Sequence, residues 1–236
     1  MSNPGKLSIV ATPIGNLEDI TLRALRVLSE ADLILCEDTR HTKHLLDHYE
    51  IKKPLRSYHA HSSDGEENAI LQMIAEGKHL GLVCDAGTPG ISDPGVVLIS
   101  RVLSKFGSDA VALIPGPSAL TGALARSGIP SHQVLFAGFA PAKKGRQTFF
   151  SEISKNQNAV VFYESSHKLA KTFAELAKVL SPNRIVVLCR ELTKMHEETV
   201  RMNARSLSQY LETNPIKTKG EHVVIIAPED FYLREE

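Results

Sequence analysis

The feature that most constrains this chain's fold is an alternation of short β-rich runs with segments of helical spacing. The runs are Leu7–Ala11, Leu33–Cys36, His79–Cys84, Val111–Ile114, Val134–Gly138, Ala159–Tyr163, Arg184–Cys189 and His222–Ala227. Between them, Asp19–Glu30 places Leu22, Leu25 and Leu28 on one stripe, and Ser63-x-x-Glu66 has the form of a capping box. Gly95–Phe106 stops at Gly107, Pro117–Ser127 stops at Gly128, and "HKLAKTFAELAKVL" stops before Pro182. Strands alternating with helices predict an α/β fold with largely parallel sheets. The simplest division is two α/β lobes, residues 1–120 and 121–236, with "SGIPSH" around Gly128–Pro130 as the best candidate boundary.

Length and composition narrow the class. The 236 residues can bury a sizeable core, and 42% apolar with 23% charged residues is ordinary for a soluble globular chain. No stretch approaches the roughly 20 apolar residues of a membrane span, and the N-terminus lacks the pattern of a secretory signal. Three cysteines far apart in sequence, Cys36, Cys84 and Cys189, argue against a disulfide framework and for a reducing compartment, so a cytosolic location is expected. Net charge is zero, but residues 1–120 carry 11 Lys/Arg against 15 Asp/Glu and residues 121–236 carry 16 against 12. Such an imbalance is usually just solvated surface, yet it permits a polyanion to approach the second half.

Residues 84–95, "CDAGTPGISDPG", pack three glycines, two prolines and two aspartates behind an apolar run. Other strands end in similar fashion, in "VATPIGN", "LIPGPS" and "VFYESS". Ligands of open α/β sheets bind outside the carboxyl ends of the strands, so these loops are candidates to line a shared cleft. Neither G-x-x-x-x-G-K-[ST] nor G-x-G-x-x-G occurs, which removes the two commonest phosphate-cradling motifs. "GPSAL" lacks the second glycine of a nucleophile elbow around Ser118. His41-x-x-His44 and His59-x-His61 have chelating spacing, but without cysteines or H-E-x-x-H they read more simply as exposed histidines, and no metal is assigned. What remains is bent main chain, Asp85 at a strand end and Ser118 at a helix start. A ligand with an amino-acid end and a nucleoside end suits that inventory without being named by it.

Seven motifs in order carry a resemblance: "VATPIGNLEDITLRAL" (Val10–Leu25), "ILCEDTRHTKHLL" (Ile34–Leu46), "CDAGTPGISDPG", "IPGPSAL" (Ile114–Leu120), "FYESSHK" (Phe162–Lys168), "CRELTKMHEE" (Cys189–Glu198) and "GEHVVII" (Gly220–Ile226). Together they resemble the ribosomal RNA small subunit methyltransferase I family, which 2′-O-methylates a cytidine of 16S rRNA and is similar in fold to the tetrapyrrole methylases. The resemblance implies a homodimer of two-lobed α/β chains with S-adenosylmethionine in the cleft between lobes. By motif position it implies a cofactor site of Pro13, Ile14, Asp85, Gly87, Ile91, Ser118, Ala119, Phe162 and Tyr163, with His222 near the adenine. Ser166 and Lys168 stand where the family usually has Pro and Arg, and the chain stops before the short C-terminal module usual in the family. That second departure puts RNA affinity in question and leaves the cofactor site untouched.

Methyl transfer from a sulfonium is an in-line displacement, so positioning dominates catalysis. A ribose hydroxyl also needs a base or an oxyanion partner. Glu37 or Glu164 is the candidate base, and Arg40 or Lys194 the candidate alkoxide stabiliser; the competing reading is a structural Glu37–Arg40 ion pair at a helix start. Lys143, Lys144, Arg146, His167, Lys168 and Arg190, together with Lys194, form the expected RNA surface. A tetrapyrrole C-methyltransferase and a cofactor-binding protein without turnover are the rival functions.

Overall fold

The structure is a computed structural model describing residues 4–59 and 62–231; His61 of the candidate histidine pair lies outside them. The chain divides into two compact units, Met1–Ser118 and Ala119–Glu236.

The first unit is built on five strands, β1 (Lys6–Val10), β2 (Leu33–Cys36), β3 (Leu55–Ser57), β4 (His79–Leu82) and β5 (Val111–Ile114), in the order β3-β2-β4-β1-β5. Every pairing is parallel, with Val10 opposite Ile114, Ile9 opposite Leu82 and Leu35 opposite Leu82. All carboxyl ends therefore emerge on one edge. Four helices cover the faces: α1 (Leu22–Glu30), α2 (Thr39–His48), α3 (Asp64–Ala75) and α4 (Val96–Phe106). Val10, Ile34 and Cys36 pack with Ala24, Leu28 and Leu45 on one side. On the other, Leu7, Leu35 and Leu80 pack with Ile70, Ile74, Leu98 and Val102. Burial on both faces explains why these strands read as continuous apolar runs.

The capping box is present at Ser63 and Glu66. Helix α1, however, starts later than its spacing suggests, because the Thr21 hydroxyl accepts from Ala24 N and fixes the N-cap there. Leu22 is consequently exposed, and Ala24, Val27 and Leu28 form the buried stripe.

The second unit has β6 (Val134–Phe139), β7 (Ala159–Glu164), β8 (Ile185–Arg190), β9 (Glu198–Asn203) and β10 (His222–Ile226), in the order β6-β7-β10-β8-β9. Here the expectation of largely parallel sheets fails. Only β6 and β7 pair parallel; β10 inserts antiparallel between β7 and β8, and β9 returns antiparallel to β8 through residues 191–197. Helices α6 (Arg146–Ser154), α7 (Leu169–Val179) and α8 (Ala204–Thr213) cover one face, over Val160, Phe162, Val186, Leu188, Val224 and Ile226. Helix α5 (Ala119–Ser127) packs on the other, against β8, β9 and β10. Among the described residues, no helix is long and apolar enough to cross a membrane.

Candidate active site

In the first unit, loops leaving β1, β4 and β5 are tied together through main chain. Thr12 N donates to Gly87 O at 2.8 Å and Gly87 N donates back to Thr12 O at 3.0 Å. The Thr12 hydroxyl donates to Cys84 O at 3.1 Å, and the Thr88 hydroxyl to Pro117 O at 3.3 Å. Gly87 has φ +84°, a conformation that glycine alone adopts without strain, and a Cβ there would contact Ile14 Cγ2. Gly116 allows an equally close approach: its Cβ would lie 3.1 Å from the Cβ of Ala11. The structure thus gathers Pro13, Ile14, Asp85 and Gly87 beside Pro117 and Ser118, while Ile91, farther along its loop, stands half-exposed. Ala119 opens α5. Sequence reasoning missed Thr12, Thr88 and Gly116, whose only signal was their place in the motifs.

Beside that ring of main chain stand Glu37, Asp85 and Asp93, all partly buried. Asp85 Oδ1 accepts from Asp38 N at 3.1 Å. Burial, then the nearby Asp85 and Asp93 carboxylates, raise the Glu37 pKa above its ordinary value, with His59 offsetting part of the effect. Burial and Asp85 raise Asp93 likewise. Among the described residues none of the three is ion-paired with Lys or Arg, and no group of three or more His, Cys, Asp or Glu is arranged to hold a metal. A patch of excess negative charge walled by main chain fits a cationic ligand and repels a phosphate.

Arg40 does not pair with Glu37. Its guanidinium lies 2.8 Å from Asp38 Oδ2 on the exposed start of α2, where Asp38 is also the N-cap, so the arginine is engaged with the helix start.

In the second unit, a polar row crosses the sheet: Glu198, Arg190, His222 and Glu164 lie opposite one another on β9, β8, β10 and β7. His222 is 3% exposed. Its Nε2 is 3.3 Å from Lys217 O, and since a carbonyl only accepts, Nε2 carries the hydrogen. Nδ1 is left as a buried acceptor with no partner. Burial first, then Arg190, lower the His222 pKa, which favours the neutral ring. An orphaned acceptor of this kind fits a donor from a nucleoside, an amine or a hydroxyl.

Several sequence candidates are placed otherwise than expected. Glu164 is enclosed: Oε2 accepts from Arg146 Nη2 at 3.0 Å and from the Thr172 hydroxyl, and Oε1 from Ser165 N at 2.7 Å. With both oxygens held by donors and 2% of its side chain exposed, it is placed as a structural carboxylate rather than a base. Arg146, 4% exposed, also binds Glu175 at 2.7 Å and Pro141 O at 2.9 Å, so it offers no surface to a phosphate. Arg190 is turned inward to Lys219 O and His196 O. Lys194 is held between Glu191 and Glu221, at 3.1 and 3.0 Å. Burial works against its charge, but those hydrogen bonds raise its pKa, which suits an ion pair rather than a free alkoxide partner. Phe162 is fully buried against Phe149 and Phe150, on the opposite face from Tyr163, so its side chain cannot line a cleft. Tyr163 meets Phe136 and Phe139 edge-on at 5.2 and 5.1 Å. Lys143, Lys144 and His167 are exposed and Lys168 is half-buried.

Comparison with known proteins gives the family and the fold. The sequence model of the tetrapyrrole (corrin/porphyrin) methylases matches residues 6–208. The chain is 45% identical over 94% of its length to ribosomal RNA small subunit methyltransferase I of Pasteurella multocida, covering 79% of that protein. It is 42% identical over 94% of its length to the Thermotoga maritima protein of the same name, covering 98% of it. Among solved structures, the fold matches the cobalt precorrin-4 methyltransferase CbiF (TM-score 0.67, 21% identity, 94% of each chain). It also matches the methyltransferase CobJ (TM-score 0.69, 17% identity, 98% of this chain and 97% of that one). A parallel sheet with bent loops at its carboxyl edge, an unpaired acidic wall and a match over nearly the whole chain lead to one assignment: the chain belongs to the tetrapyrrole methylase family, among the ribosomal RNA small subunit methyltransferases I.

Proposed function

We propose that the chain transfers a methyl group from S-adenosylmethionine to small-subunit ribosomal RNA, at the ribose 2′-hydroxyl of a 16S cytidine. The observation that carries this reading is 41–45% identity over 94–96% of the chain to relatives named ribosomal RNA small subunit methyltransferase I; the cofactor, the cytidine and the 2′-hydroxyl are the finer part of the proposal. When bound, the cofactor supplies a methyl group on a sulfonium, an electrophile strong enough to need no metal.

The chain's residues hold, orient and accept protons. Main-chain groups of Pro13, Ile14, Asp85 and Ala86, held in place by the Thr12–Gly87 pair, would hydrogen-bond the cofactor, and Asp85 would accept from its ammonium or a ribose hydroxyl. His222 Nδ1 accepts from a nucleoside donor. Glu37 is the base that takes the 2′-hydroxyl proton. Its raised pKa moves it toward the range where a carboxylate removes a proton efficiently. Exposed Lys143, Lys144, His167 and Lys168 contribute phosphate attraction.

The acceptor is the small ribosomal subunit in the cytoplasm, and the working form is a homodimer. Apolar residues facing solvent on the first unit, Val96, Val97 and Leu103 of α4 with Leu113 of β5, support self-association. Nucleotide-resolution mapping of 16S 2′-O-methylation, with and without the protein, tests the reading. One cytidine should lose its mark when the protein is absent; an unchanged map contradicts the assignment.

A further inference from the structure

The turn joining β8 to β9, residues 191–197, is built unlike a simple connection. Two of its non-glycine residues lie in the left-handed region, Glu191 at φ 51° and Thr193 at φ 65°. For a β-branched residue such as threonine this backbone is strained, and it persists only where the surroundings enforce it.

They do. Glu191 N donates to Glu221 O at 2.9 Å, and the Glu191 carboxylate accepts from Glu221 N at 2.8 Å. Gly220, at φ +105°, leaves room for that carboxylate; a Cβ there would stand 2.6 Å from Oε1. Thr193 N donates to Glu197 Oε2 at 2.7 Å, and Arg126 Nε pairs with Glu197 Oε1 at 2.9 Å. Arg190 Nη1 donates to His196 O at 3.0 Å. Lys194 bridges Glu191 and Glu221.

Two groups are left over from this lattice. Thr193 Oγ1 is one of two buried side-chain polar atoms without a partner among the described residues. Met195, at the tip, is 93% exposed. A turn needed only to reverse the chain would carry glycine or asparagine at the left-handed position and a polar tip. This one is rigid, strained and apolar at its end, which is the form of a preorganised contact.

We propose that the β8–β9 turn receives an unstacked nucleobase of the RNA acceptor, with the Met195 thioether against the base and Thr193 as the residue that positions the tip. The inference rests on the RNA-methylation reading. The charges named in the turn are consumed in pairs or by main chain, so it has no free lysine or arginine for a phosphate. Sequence-specific RNA recognition uses splayed bases, and a polarizable thioether packs well against an aromatic ring. A protein partner would need about 800 Å² of complementary surface. The adjoining 214–221 segment adds Ile216 as its one exposed large apolar side chain.

The test is steady-state methylation of small ribosomal subunits by the full chain and by Met195→Ala, Met195→Gln and Thr193→Gly. Affinity for S-adenosylhomocysteine, melting temperature and oligomeric state are measured alongside, with Val179→Ala as an exposed apolar control. Both Met195 variants should raise KM for the subunit about tenfold, the size of one lost base contact, while kcat and cofactor-product affinity stay unchanged. Thr193→Gly should raise the melting temperature by relieving strain, yet raise KM several-fold because the tip is no longer held. Unchanged KM in the Met195 variants overturns the proposal, as does a Thr193→Gly protein that is more stable with KM intact. A change of oligomeric state without a change in KM would make the tip a protein contact and also overturn it. Failure of the wild-type chain to methylate any RNA is seen before variants are compared, and it defeats the functional reading itself.

Discussion

Replacing Glu164 separates a structural carboxylate from a catalytic one. Its side chain is 2% exposed and that of its main partner, Arg146, 4%, with Oε2 to Nη2 at 3.0 Å. Glu164→Ala leaves the guanidinium buried with Glu175 as its remaining carboxylate, and strips an acceptor from Thr172 and from Ser165 N. Breaking a buried pair on one side costs about 3–5 kcal/mol. Glu175, 20% exposed and still bonded, keeps the cost near the lower figure, about 3 kcal/mol. For a chain of this size that is a fall of about 6–12 °C in melting temperature. Glu164→Gln retains one acceptor oxygen and should lose about half as much. The assay is thermal unfolding, with methylation measured well below each variant's transition. Both variants should be destabilised yet turn over at near-normal rate once folded. A Glu164→Gln protein that melts with the wild type and has lost turnover would refute the reasoning and restore Glu164 as a base.

Glu37→Gln should lower kcat by about 10²-fold with S-adenosylhomocysteine affinity kept. Because the folded pKa of Glu37 is raised, ionising it costs the fold, a cost absent at low pH and incurred as pH climbs past the ordinary carboxylate value. Unfolding curves should therefore show Glu37→Gln more stable than wild type at pH 7 but not at pH 4. His222 runs the other way. Its folded pKa is lowered, so the stability it contributes is lost as pH falls through the ordinary histidine range, and His222→Gln should flatten the loss of melting temperature between pH 7 and 5. Gly87→Ala forces a side chain to φ +84° and should destabilise by about 1 kcal/mol while weakening cofactor binding, read by calorimetry. Lys143→Glu with Lys144→Glu should raise KM for the subunit and flatten its salt dependence, sparing cofactor affinity.

The parallel half of the fold was legible because strands buried on both faces, such as Leu33–Cys36 and His79–Leu82, leave unbroken apolar runs. Two of the edge strands, β3 and β9, leave none. Leu55–Ser57 is three residues long, and "ETVRMN" on β9 has no fully buried residue, so neither stands out. The direction of β10 was equally hidden, since "HVVII" is buried on both faces and reads the same whichever way it pairs. In the site, the bent loops could be read from their glycines and prolines. Which charged residue is free and which is consumed could not. Arg146 meets Glu164 across 18 residues of sequence through α6 and β7, and Lys194 meets Glu221 from another strand's approach. Such pairings follow from tertiary packing, which local spacing does not encode. The same holds for Phe162 and Tyr163: one residue of register decides which faces the core.

Transfer of isotope-labelled methyl from S-adenosylmethionine into small ribosomal subunits lacking the modification, run in parallel with uroporphyrinogen III, tests the central claim most directly. The account predicts one methyl group per subunit, on a 16S ribose, and none on the macrocycle. Label appearing on the macrocycle, or on neither acceptor while the cofactor binds, would contradict it.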